Sequence, residues 1–169
     1  MSPRRPPAWA RLILRSAPSR QGADYALVAV RVALVWIFTY YGAGKLFGAF
    51  NGPGLHRTAL YFSDTAHLRP GGFFAVAAGV IEFGGALLLA LGLVARLAGL
   101  ALLVDQVMAM ITVTWVNGIN SLSATPGYEF NLTLCALALT VLLLGAGRVS
   151  VDHLIERRLT RGSPTEDEV

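Results

Sequence analysis

A single cysteine, Cys135, stands among the 169 residues, so no intramolecular disulfide can form and no Cys-x-x-Cys pair is available for thiol redox chemistry. Charge is scarce as well. Asp, Glu, Lys and Arg make up 14% of the chain against 54% hydrophobic residues, which leaves too few charges to cover a soluble domain of this size. Histidine is sparse. His56 and His67 fall near Asp64 in a connecting segment, but their spacing matches no metal-ligand pattern, so no metal site is expected and they read as solvated. Also missing are a haem-ligating pair, a cysteine cluster and a dinucleotide fingerprint. Electrons for any redox reaction would therefore have to come from a partner or from a quinone itself. The net charge of +4 comes largely from arginines outside the apolar stretches, which is a topology signal and not a nucleic-acid footprint.

What the chain does have is long apolar blocks. There is room for one domain, and four blocks approach the ~20 residues that cross a bilayer. The expected architecture is all-α, an integral membrane four-helix bundle. Span one runs from about Tyr25 to Phe47, span two from Gly72 to Val94, span three from Leu97 to Val116 and span four from Tyr128 to Ala146. Residues 1–24 form a basic tail in which Trp9, Leu12 and Ile13 can line a short surface helix; no signal-peptide cleavage pattern is evident. Residues 25–147 form the membrane domain, and 148–169 a second tail, with Ser150 or Asp152 capping a short helix. Between spans one and two, Asn51-Gly-Pro-Gly54 is a turn and Leu55 to Phe62 a short amphipathic helix. The link Ala95-Arg96-Leu97 makes spans two and three an antiparallel hairpin. The two tails and the Arg96 link carry ten of the fourteen basic residues, so the positive-inside rule puts both termini in the cytoplasm.

Span two carries Glu82 near its middle. A charge there costs a few kcal/mol and faces a partner or a cavity. Its helical face holds Ala75, Ala78, Gly79, Gly85, Ala86 and Leu89, small residues that admit another helix closely. Span one carries Arg31 and Lys45 on one seam with Leu34, Phe38, Tyr41 and Gly42, and span three carries Asp105 with Gln106 beside it. At ~1.5 Å per residue, Arg31, Asp105 and Glu82 lie roughly 9, 12 and 18 Å from the cytoplasmic edge. One buried network of Arg31, Glu82 and Asp105 is expected. It would either hold the helices in register or serve a proton or a quinone headgroup. Lys45 and Glu129 are a secondary pair. The plainer readings are a snorkelling lysine and a carboxylate at a helix N-terminus.

The order of these motifs resembles the DoxX family of small four-helix membrane proteins. The likeness rests on Arg31, on Tyr41-Gly-Ala-Gly-Lys45-Leu-Phe, and on Gly79-Val-Ile-Glu82-Phe-Gly-Gly through Gly92-Leu-Val-Ala-Arg96. It continues with Glu129 at the head of span four and Gly145-Ala-Gly147-Arg-Val-Ser150-Val-Asp152 after it. It covers about residues 25–155, with Ala146 where the family more often has proline. The resemblance implies a bacterial inner-membrane protein of redox or oxidative-stress biology, a subunit of a quinone-linked complex with protein partners. It names no catalytic residue. A quinone near Arg31, Glu82 and Asp105 would be lined by Trp36, Phe38 and Phe83. The alternatives are a non-catalytic anchor for soluble partners and a small carrier of a lipid or weak acid. Small-residue faces also permit a homo-oligomer.

Overall fold

The computed structural model describes residues 20–120 and 126–161; the surface helix expected around Trp9 and the acidic C-terminal residues lie outside that range. The described residues are helical. Helix α1 spans Arg20–Phe47, α2 Gly54–Asp64, α3 Gly71–Leu91, α4 Ala95–Ala109, α5 Glu129–Leu144 and α6 Val151–Arg161. Beyond Ala109, α4 continues through a widened π turn, Met110–Thr114, and a tight turn, Trp115–Asn117. Three of these helices are long and apolar enough to cross a membrane: Gln21–Phe47, Gly71–Leu91 and Ala95–Asn117. Where the fourth span is expected stands α5, an apolar helix that falls short of that length: its 16 residues extend only ~24 Å.

One core joins the four apolar helices. Leu34 and Phe38 of α1, Ala86 and Leu89 of α3, Ala98 and Leu102 of α4, and Leu134, Ala138 and Val141 of α5 are all buried in it. The small face read around Glu82 is the packed face of α3, since Ala75, Gly79, Glu82, Gly85, Ala86 and Leu89 are buried. Large apolar side chains cover the outside, among them Trp36, Leu87, Val116 and Leu143. That inside-out distribution is what a hydrocarbon surrounding permits.

Helices α1 and α3 run antiparallel and touch backbone to backbone. A Cβ at Gly42 would stand 2.5 Å from the Phe83 nitrogen, so only glycine fits there. The α3–α4 hairpin closes on Gly92, at φ 63. The Leu93 N–H donates to the Leu88 carbonyl at 2.9 Å and the Gly92 N–H to Leu89 at 3.1 Å, the double bond pattern of a Schellman cap. Two residues on, Val94 also holds a positive φ, 48, which a β-branched residue adopts only under constraint. The constraint is Asp152, at the start of α6. Its carboxylate accepts the Val94 N–H at 2.7 Å and the Ala95 N–H at 3.0 Å, capping α4 from a distant part of the chain. Ser150, by contrast, caps its own helix, with its Oγ accepting the His153 N–H at 3.2 Å.

Candidate functional site

Two polar centres lie on opposite stretches of α1. At the first, Arg31 is buried, and its guanidinium donates to four carbonyls. Nε bonds Leu89 at 2.9 Å, Nη2 bonds Ala90 at 3.2 Å, and Nη1 bonds Ala146 at 3.0 Å and Val149 at 2.7 Å. These carbonyls close the C-terminus of α3 and the turn between α5 and α6, where the helix dipole and orphan acceptors favour a cation. Arg31 thus ties three elements together at one end of the bundle. Four of its five donors are used there, which leaves one Nη2–H without an acceptor among the described residues.

At the second centre, Lys45 Nζ lies 2.5 Å from both carboxylate oxygens of Glu82. The expected grouping of Arg31 with Glu82 and Asp105 is not what forms, and the reason is directional. Side chains on an α-helix lean toward its own N-terminus. On antiparallel helices, Arg31 therefore leans away from Glu82 while Lys45 and Glu82 lean toward each other. Depth along the axis, measured from Cα positions, misses this lean of several Å at each end. The ammonium donates to Glu82, and Glu129 stands at the head of α5. Lys45 also sits over the Tyr41 ring, 5.7 Å from its centroid.

Asp105 lies within electrostatic reach of both Lys45 and Glu82. From it runs a chain of side chains that sequence reasoning did not assemble. Gln106 Nε2 donates to Asp105 Oδ2 at 3.0 Å, Asn131 Nδ2 donates to Gln106 Oε1 at 3.0 Å, and Thr114 Oγ1 donates to Asn131 Oδ1 at 3.1 Å. Asn131 was readable in principle, as an amide one turn inside an otherwise apolar helix. Thr114 lies in the π turn, a deviation that recurs at functional sites. The hydroxyl turns sideways to Asn131 as well as back toward Met110.

Beside the first centre, an apolar groove of about 1380 Å³ runs along α1. Val28, Val35, Trp36 and Tyr40 form its wall, and Arg31, Arg148 and Ser150 its polar end. Of the three aromatics expected to line a ligand, Trp36 alone borders this groove. Phe38 is sealed in the core at 1% exposure, and Phe83 packs edge-on against Phe47 with ring centroids 5.5 Å apart. A second, more polar cleft lies between Asp24, Arg96 and the Asp152 turn.

Comparison with known families agrees with this arrangement. Residues 26–115 match the family model described as DoxX, and residues 71–165 match the one described as TQO small subunit DoxD. Each match covers more than half of the chain. No curated protein and no solved structure matches it.

Proposed function

The chain belongs to the DoxX family of membrane proteins, and from that premise we propose that it is the membrane subunit of a quinone-linked redox complex of the bacterial inner membrane. The match to a TQO small subunit over residues 71–165 supports a redox role shared with a partner. The observation that carries the quinone itself is the groove along α1. Binding sites for such molecules are concave, mostly apolar and closed by a few polar groups. Here the apolar wall of Val28, Val35, Trp36 and Tyr40 suits an isoprenoid tail, while the free Nη2–H of Arg31 and the Arg148 guanidinium suit a carbonyl oxygen. A bound quinone supplies two-electron, two-proton carrier chemistry. The protein's part is to orient the ring, to hold Arg31 rigid through its four carbonyl bonds, and to keep the groove open to the bilayer. In this reading the electrons come from a partner subunit or from the quinone itself.

A quinone quenches the fluorescence of a tryptophan it contacts. Titration of the purified protein with a short-chain quinone analogue is expected to quench Trp36 saturably, and W36F is expected to remove that component. Quenching that never saturates, or that survives W36F unchanged, contradicts the assignment.

A second reading, a membrane anchor for soluble partners, draws on α6. This helix exposes Leu154, Ile155 and Leu159 beside Arg157 and Arg158, a pattern suited to a partner or the membrane surface. In a complex the two roles are compatible, and the same chain can also pair with a copy of itself.

A further inference from the structure

We propose that Lys45, Glu82 and Asp105 form a proton-binding site, in which the two carboxyl groups hold one exchangeable proton between them beside the Lys45 ion pair. The inference stands whether or not a quinone occupies the groove, because the groove is lined by other residues and its wall ends at Thr39, Tyr40 and Phe50.

Charge balance comes first. One ammonium faces two carboxylates inside a bundle whose surroundings are hydrocarbon. Glu82 is 3% exposed and holds Lys45 through both oxygens. That pair is neutral. Asp105 then adds a negative charge within reach of both. Among the described residues it receives one hydrogen bond, from Gln106, which leaves its other oxygen without a donor. An uncompensated carboxylate in a low-dielectric interior takes up a proton instead of staying charged.

Among the described residues the neighbours supply no second cation. Tyr41 on α1 offers its ring to Lys45, Gln106 on α4 is neutral, and α5 brings Cys135 and Asn131. Arg31, the other buried cation, is held at the far centre by its four carbonyls. A proton needs no cavity. The chain from Asp105 through Gln106 and Asn131 to Thr114 leads from the buried pair to the end of the bundle where α5 begins.

Infrared spectroscopy of the full chain in lipid bilayers at neutral pH reads this directly, through the carbonyl stretch of a protonated carboxyl group. The wild type is expected to show one such band, shifted by deuterium oxide. E82Q and D105N are each expected to lose it, because one carboxylate then balances Lys45. K45M is expected to increase it about twofold, since both acids must then be neutral. Absence of the band in the wild type, its persistence in both acid variants, or an unchanged intensity in K45M overturns the proposal. The wild-type arm needs no substitution and decides the question even if a variant fails to fold.

Discussion

Lys45 and Glu82, 37 positions apart in sequence, form a bidentate ion pair across the antiparallel contact of α1 with α3. Removing Lys45 obliges Glu82 to take up a proton in order to stay buried, and breaking a buried pair from one side costs about 3 kcal/mol or more. K45M is therefore expected to destabilise the protein strongly, and adding E82Q to K45M to recover more than half of the loss. Unfolding titrations in bicelles of the two single variants and the double variant measure this, and equal stability of K45M and K45M/E82Q contradicts it.

The backbone contact behind that pair makes a sharper prediction about two neighbouring glycines of the interface. A Cβ at Gly42 meets the Phe83 backbone, whereas one at Gly84 meets nothing within 4 Å. G42A is expected to cost about 1–3 kcal/mol by forcing the helices apart. G84A is expected to be neutral or slightly stabilising, because alanine is the better helix former. Thermal unfolding of both in the same detergent separates them.

Much of this packing was legible in advance. The small residues flanking Glu82 mark the buried face of α3, and the seam from Arg31 to Gly42 marks that of α1, because helical periodicity alone decides which positions share a face. The link at Arg96, the short helix after Gly54 and the capping role of Ser150 also follow from local turn chemistry. What periodicity does not carry is the direction in which a long side chain leans. That is why Arg31 was assigned to Glu82, when it serves carbonyls one helix end away and Lys45 takes its place. The Gln106–Asn131–Thr114 chain was hidden for a related reason: its members lie on different helices, and nothing in the order of residues states which helices are neighbours. The shortness of α5 was hidden too, since the apolar run continues through Ala146 although the helix stops at Leu144.

At the hairpin between α3 and α4, Val94 keeps a positive φ and Asp152 caps the two N–H groups that follow from it. Loss of a cap costs about 1 kcal/mol, and a non-glycine residue in this region about 1–3 kcal/mol. D152A is expected to lower the unfolding temperature, and V94G to raise it, alone and in the D152A background. A V94G variant less stable than its parent contradicts this account of the turn.

Arg31 is expected to resist its nominally conservative replacement. A planar guanidinium reaches four carbonyls, two at the end of α3 and two in the α5–α6 turn, whereas an ammonium has three donors on a flexible stem. R31K is expected to loosen the junction of α3 with the α5–α6 turn. Faster hydrogen exchange at Gly92 and Asp152, whose backbone groups bond each other across it at 3.0 Å, checks this.

The orientation inferred from the arginines, with both termini in the cytoplasm, is expected to make a C-terminal green fluorescent protein fusion bright and a C-terminal alkaline phosphatase fusion inactive. The opposite pattern reverses the sidedness of the groove and of the Lys45 centre together.

The central claim, a quinone-binding membrane subunit, is tested most directly by its contents. The protein is purified from its native membranes in mild detergent, extracted with organic solvent and assayed for quinone against co-purified phospholipid. The account predicts quinone enriched well above its ratio in the membrane, and a return to that ratio in W36A. A quinone-to-phospholipid ratio no higher than that of the starting membrane would contradict it.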